Sequence, residues 1–220
     1  MTDFAQARRH MVDSQIRTMG VIDERIIEAF TQIPREIFIS ESLQHIACID
    51  EDLEYADRHF LMEPSVHARL LDAASITKND LVLDVGCGSG YSTSILSNLA
   101  ATVVALDNNE KLFTQALKNW KNLGLCNVVP EQGSLKEGVE KHAPYDVIII
   151  NGSIKNIPDC FFAQLANNGK ILAVIKDDQA PLGTASLIQK CANGEISCIE
   201  LFDAGTKSLK EFSKKPEFSF

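Results

Sequence analysis

The chain has 220 residues, 45% of them hydrophobic and 23% charged, which suits one compact unit with a sizeable core. Its formal net charge is −9, so it repels phosphate backbones, and the basic clusters Arg8–Arg9 and Lys207–Lys215 read as solvated faces rather than a nucleic-acid site. The longest apolar runs, such as Val147–Ile150 and Ile171–Ile175, are far short of the ~20 residues that a bilayer span needs.

Met1–His10 has no apolar stretch of the kind a secretory signal requires. The six cysteines form no Cys-x-x-Cys pair, and none sits beside a histidine at metal-ligand spacing. The expectation is a cytoplasmic protein with reduced thiols, no metal and no membrane contact. Its oligomeric state stays open.

Residues 3–76 read as helices and loops. Helical spacing of apolar residues recurs at Met11–Ile16, Ile26–Phe30 and Val66–Leu71. Asp23 is placed to cap the second of these helices, and Pro34 to end it. Pro64 suits the first turn of the third, where a missing N–H costs nothing.

Residues 80–204 alternate strand and helix instead. Short β-branched runs predict strands at Leu81–Val85, Thr102–Leu106, Asn127–Val129, Val147–Ile150 and Ile171–Ile175. The clearest helix between them is Lys111–Leu123, stopped by Gly124. Such alternation implies an α/β fold with a mainly parallel sheet covered on both faces. Ser186–Cys191 and Ile196–Phe202, joined across Ala192–Glu195, predict a closing antiparallel hairpin. The whole reads as a single domain over residues 1–220, with 3–76 as a helical extension. Phe212, Phe218 and Phe220 argue for packing of the tail.

The chemistry is expected at Leu81-Val82-Leu83-Asp84-Val85-Gly86-Cys87-Gly88-Ser89-Gly90. A buried strand ends in an acid, and a glycine-rich turn then opens a helix at Tyr91–Leu99. In an open α/β sheet this turn lies at the carboxyl edge of the strands, where ligands bind. A dinucleotide fingerprint would need glycine at position 91, where Tyr91 stands. An acid followed by Gly-x-Gly-x-Gly is instead the pattern of class I S-adenosylmethionine methyltransferases. That cofactor has no pyrophosphate. It carries a sulfonium and an amino-acid tail, whose ammonium Asp84 can meet and whose carboxylate the turn's N–H groups can meet. Asp107 follows Asp84 by 23 residues, near the ~20-residue spacing of a ribose-binding acid. Asp84, Gly86, Cys87, Gly88, Gly90, Asp107 and Asn108 are therefore the candidate cofactor residues. The competing readings are a ligand-free tight turn and, for Asp107, a helix cap.

Three segments of the N-terminal half narrow the class. They are Met11-Val12-Asp13-Ser14-Gln15-Ile16-Arg17, Val21–Ala29 and Ile33-Pro34-Arg35-Glu36-Ile37-Phe38-Ile39. Together they resemble the opening of the protein-L-isoaspartate O-methyltransferases. The resemblance runs over roughly residues 8–175. It implies methyl transfer from S-adenosylmethionine to a protein carboxylate, with L-isoaspartyl residues of damaged proteins as acceptor.

Two departures stand out. The family carries a hydroxyl residue before the third helix, at the position taken as the active site, and here the segment is Phe60-Leu61-Met62-Glu63-Pro64. The family also carries an acid after the third strand, near the adenine amino group, and here the pair is Gly133-Ser134. A carboxylate acceptor needs no general base, because it is already ionised at pH 7. Met62 thus costs an orienting hydrogen bond, worth about ten- to 150-fold in rate. Ser134 can still accept from the adenine amino group. His67 faces the cofactor in the resemblance and is a surface or half-buried helix histidine otherwise. His59 and Glu63 are placed to line the site or to serve as plain loop residues, and Asn151-Gly152-Ser153 to face the acceptor or simply to turn. Two other functions stay open: a methyltransferase with another acceptor, and a module that binds S-adenosylmethionine without turnover.

Overall fold

The computed structural model describes residues 3–56, 58–177, 179–191 and 193–212. The chain opens with α1 (Phe4–Met11), where the Asp3 carboxylate accepts from the Gln6 N–H at 3.0 Å. Helical spacing continues through Val12–Ile16, but as a wider π-type turn, so the helix expected over Met11–Ile16 begins earlier and changes pitch there. Helix α2 (Glu24–Gln32) is capped by Asp23 as expected, and buries Ile26, Ile27, Ala29 and Phe30 on one face. The Ile26, Ile27 and Phe30 side chains each contribute about 1.5–3 kcal/mol.

A short antiparallel hairpin then forms, β1 (Leu53–Ala56) and β2 (His59–Leu61). Residues 3–76 are therefore not wholly helix and loop. Helix α3 (Pro64–Ala74) starts on its proline and stops where Ser75 turns left-handed.

The core is a seven-stranded sheet built from β3 (Leu81–Val85), β4 (Thr102–Asp107), β5 (Val128–Gln132), β6 (Tyr145–Ile154), β7 (Leu165–Ile175), β8 (Gly183–Lys190) and β9 (Ile196–Ala204). Its order is β5-β4-β3-β6-β7-β8-β9. The first five strands in that order are parallel, and β8 and β9 run antiparallel as the closing hairpin. Helices α4 (Tyr91–Ser97), α5 (Glu110–Asn122) and α6 (Asp159–Gln164) connect the parallel strands. Strand β5 runs past the expected Asn127–Val129, and α6 had no forecast.

Alternation along the strands divides the core. Val82, Val103, Val147, Ile149 and Leu172 face a cluster that includes Met11, Phe30, Leu70 and Ile95, so the N-terminal helices, α3 and α4 share one apolar layer with the sheet. Leu83, Val85, Leu106, Ile148 and Ile150 face the opposite layer with Phe161, Leu135 and Leu209. Phe212 packs against this second layer, as the tail reading expected, whereas Phe218 and Phe220 lie outside the described residues. No helix among the described residues is long and apolar enough to cross a membrane.

Registry positions the site. Val85 pairs with Leu106 on one side and Ile150 on the other. The next residues in register, Gly86, Asp107 and Asn151, therefore lie side by side at the carboxyl edge of β3 and β4.

Candidate active site

The glycine turn is held from beneath by one carbonyl. The N–H groups of Gly86 and Cys87 both donate to Leu106 O, at 2.9 and 3.2 Å. Gly88 has φ +54, and a side chain there would place Cβ 2.2 Å from Tyr55 Oη. Both facts require glycine. Its N–H donates to Asp107 Oδ2 at 2.7 Å, and the Asn109 N–H donates to Asp107 Oδ1 at 2.8 Å. Asp107 is thus buried, hydrogen-bonded through both oxygens and fixed against the turn. Tyr55, from the hairpin, accepts from the Ser89 N–H at 3.0 Å, and burial pushes its hydroxyl up to about 12. Gly90 begins α4, and its carbonyl accepts from Trp120 Nε1 at 3.0 Å.

Asp84 points to the α4 face of the sheet. Its carboxylate accepts from Ser92 Oγ at 2.9 Å, Thr93 Oγ1 at 2.5 Å and Asn151 Nδ2 at 2.5 Å. Burial pushes its pKa up to about 6, against those hydrogen bonds. Asp84 lines neither of the two clefts described next. It acts on them through Ser92 and Asn151, which do line them.

Two adjoining clefts open at this edge. One is lined by Tyr55, His59, Gly86, Gly88, Asp107, Asn108, Asn151 and Glu211. The other is lined by Phe60, Met62, His67, Cys87, Tyr91, Ser92 and Asn151. Tyr55, Phe60, Gly86 and Asn151 belong to both. The first cleft is the more polar of the two, with acceptor groups at Asp107 beside the apolar side chains of Phe60, Leu135 and Leu209. The second is walled by aromatic and thioether surface. His59 Nε2 lies 3.8 Å from Asp107 Oδ1.

Met62 is buried, and its backbone is pinned. Arg35, fully buried in the Pro34-Arg35-Glu36 element, donates through Nε to Ala47 O at 2.7 Å and through Nη2 to Met62 O at 2.8 Å. The Glu63 N–H donates to Asp52 Oδ1 at 2.8 Å, and the Glu63 carboxylate takes the Ser65 hydroxyl. Burial pushes the Glu63 carboxyl up. Glu63 lies outside both cleft linings. His67 sits edge-on to Phe30 and Tyr91, with centroids at 5.4 and 6.2 Å. Burial, with the Arg35 charge, pushes it down to about 3, so it is neutral at pH 7. It lines the second cleft and is fully buried, so it is not the surface or half-buried helix histidine of the alternative reading. Burial likewise raises the Cys87 thiol far above its ordinary range.

Gly133 donates its N–H to Asp107 O at 3.1 Å, which holds the end of β5 beside the cleft. Ser134 gives its hydroxyl proton to Glu211 rather than to open space. Among the lining residues, Tyr55 and Glu211 carry no motif signal, whereas Phe60 opens the segment singled out before the third helix. Only the hairpin and the returning C-terminal segment bring them in. Arg35 lies within a recognisable segment, but its contact with Met62 is not readable from spacing.

A mainly parallel sheet with this glycine turn, and an acid at the next strand end, defines a class I methyltransferase fold. The family model described as "Protein-L-isoaspartate(D-aspartate) O-methyltransferase (PCMT)" matches residues 6–203, and the chain belongs to that family. The Koribacter versatilis protein-L-isoaspartate O-methyltransferase is 35% identical over 172 residues, covering 78% of this chain and 78% of that protein. The Trichlorobacter lovleyi enzyme of the same name is 32% identical over 197 residues, covering 90% of each. A solved protein-L-isoaspartate O-methyltransferase superposes with TM-score 0.81 at 25% identity, covering 93% of this chain and 67% of that one. A Plasmodium falciparum structure, described as a protein-L-isoaspartate O-methyltransferase in complex with S-adenosyl-L-homocysteine, has TM-score 0.75 at 23% identity and covers 93% and 98%.

Proposed function

We propose that this chain transfers a methyl group from S-adenosylmethionine to the α-carboxylate of L-isoaspartyl residues in proteins. The observation that carries the reading is the joining of a polar cleft at Asp107 to the apolar cleft at Met62, through Gly86 and Asn151. The residues present fit the cofactor. Asp107 offers a fixed carboxylate for ribose hydroxyls, whereas the N–H groups of residues 86–90 are already taken by Leu106 O, Asp107, Tyr55 Oη and Cys87 O, so they do not stand open to the cofactor's carboxylate as the sequence reading expected. When bound, the cofactor supplies a methyl group on a positively charged sulfur.

The chain's own work is positional. An acceptor carboxylate of pKa ~4 is ionised at pH 7, so no side chain has to take a proton. Phe60 and Met62 shield the transfer region from water, and neutral His67 adds no cation to repel a sulfonium. Asp84, ionised above about pH 6, places a negative charge behind Ser92 and Asn151. Such fixed geometry acts through proximity and orientation.

The shared apolar layer supports reading residues 3–76 and 80–204 as one domain, with the hairpin covering the cleft. The cysteine usage supports a cytoplasmic location, and the charge of −9 supports a protein rather than a nucleic-acid partner.

Met62, standing where the family carries a hydroxyl, favours one second reading: an enzyme of this fold with a different acceptor. The deciding experiment follows labelled methyl from S-adenosylmethionine into an isoaspartyl peptide and its aspartyl twin. Label in the isoaspartyl peptide alone is the expected result. Label in neither, from folded protein that binds the cofactor, moves the reading to another acceptor or to a binder without turnover.

A further inference from the structure

Beyond β9 the described chain turns back across the carboxyl edge of the sheet. The Thr206 hydroxyl and the Lys207 N–H both donate to Asp52 Oδ2, each at 2.7 Å. Lys207 O then accepts from the Ser153 N–H at 2.8 Å, and the Leu209 N–H donates to Ser153 O at 3.1 Å. The segment therefore runs parallel to the end of β6. Leu209 packs over the turn, since a Cβ built on Gly86 would lie 3.2 Å from its side chain.

This path carries Glu211 into the lining of the polar cleft, next to Asp107 and Asn108. Its carboxylate accepts from Ser134 Oγ at 2.6 Å, Asn108 Nδ2 at 2.6 Å and the Leu135 N–H at 3.0 Å. Burial alone would raise the Glu211 carboxyl, but these hydrogen bonds outweigh it and hold the group below the ordinary range. A charged carboxylate with its donors on the protein side presents acceptor character to the cleft. Asp107 is also an acceptor. A nucleoside whose ribose hydroxyls meet Asp107 therefore finds a second acceptor at Glu211, where its base would be read.

We infer that Glu211 reads the 6-amino group of the cofactor's adenine, selecting an adenosyl ligand over its 6-oxo counterpart. Adenine carries an exocyclic N–H donor at that position. Hypoxanthine carries a carbonyl oxygen there, which would face the carboxylate acceptor to acceptor. A site built to bond a donor rejects the analogue that lacks it, because its acceptor then faces another acceptor. The inference rests on the cofactor reading made above.

Isothermal calorimetry on the full chain tests it, with S-adenosylhomocysteine and S-inosylhomocysteine as ligands. The unaltered protein should favour the adenosyl ligand by about ten- to 150-fold, the range for one hydrogen bond to a charged group. Glu211→Gln offers both an oxygen and an amide N–H, and should narrow the ratio to within about threefold on the same scale. Its thermal unfolding, followed alongside, reports that the fold is kept. Equal affinity of the unaltered chain for both ligands overturns the inference without any variant, and so does an unchanged ratio in folded Glu211→Gln. Failure of the unaltered chain to bind S-adenosylhomocysteine is the distinct outcome that overturns the cofactor reading itself, and the inference with it.

Discussion

Arg35 and Met62 are joined by a hydrogen bond of 2.8 Å from Nη2 to the Met62 carbonyl, although 27 residues separate them. The same guanidinium holds Ala47 O and stacks over Tyr91 at 4.8 Å from the ring centroid. The N-terminal extension thereby fixes the wall of the apolar cleft. Arg35→Lys keeps the charge but replaces the planar fork with a single ammonium, which does not hold both carbonyls in that geometry. Loss of one charge-assisted bond is expected to lower stability by about 1.5–3 kcal/mol. Urea unfolding measures that loss. Methyl transfer should fall further than affinity for S-adenosylhomocysteine. Equal losses in both would mean that Arg35 acts on the whole fold rather than on the Met62 wall.

Gly88 and Tyr55 predict a rescue. Alanine at 88 meets the phenol oxygen at 2.2 Å, but the ring carbon Cζ only at 3.6 Å, an ordinary contact. Gly88→Ala should therefore be strongly destabilising, and adding Tyr55→Phe should recover most of the loss. What remains is the left-handed strain of an alanine at φ +54, about 1–2 kcal/mol. A double-mutant cycle in denaturant reads the coupling. Additive effects would show that the clash is relieved in some other way.

His67 and Asp84 predict pH dependences of opposite sign. His67 is pushed from 6.5 down to about 3, so between those values the unfolded chain holds a proton that the folded chain lacks. Its contribution is full above pH 6.5 and drains as the pH falls, by on the order of 5 kcal/mol in all. Asp84 is raised from 3.8 to about 6, so there the folded chain holds the extra proton. Its contribution is present below 3.8 and lost as the pH rises through about 6, on the order of 3 kcal/mol. His67→Gln should flatten the acid limb of the stability profile. Asp84→Asn should gain on the unaltered chain as pH rises from about 4.5 to 7, a window that spans much of the Asp84 shift. Parallel profiles for all three proteins would remove both groups from the account.

The parts of this structure that were legible in the sequence share a cause: their signals are local. Asp23 caps α2, Pro64 starts α3, and Leu81–Val85 runs into Gly86, all within a few residues. The hairpin of β1 and β2 was not legible, because Leu53-Glu54-Tyr55-Ala56 and His59-Phe60-Leu61 are short and weakly alternating, with Arg58 rather than glycine at positive φ between them. That hairpin supplies Tyr55 and Phe60. Glu211 was hidden for another reason. Its partners Asn108 and Ser134 lie 103 and 77 residues away, and no spacing rule reaches that far. Asp84 and Asp107 were both picked out by the motif, yet only Asp107 lines a cleft. Side-chain alternation turned Asp84 toward Ser92 and Thr93 on the α4 face.

Met62 gives the sharpest chemical prediction. Its side chain is buried in the apolar cleft, and its backbone is fixed by Arg35, so a smaller residue there inherits a held position. A threonine hydroxyl at 62 would offer one hydrogen bond to an acceptor carboxylate. Met62→Thr should therefore raise kcat/KM on an isoaspartyl peptide by about ten- to 150-fold, the effect of one bond to a charged group. It should also lower stability by about 1–3 kcal/mol, because a thioether leaves the cleft wall. Affinity for S-adenosylhomocysteine should stay within a few-fold, since the polar cleft at Asp107 is untouched. A rate that falls with the substitution, while cofactor affinity holds, would mean that Met62 shapes the cleft for an acceptor other than isoaspartate.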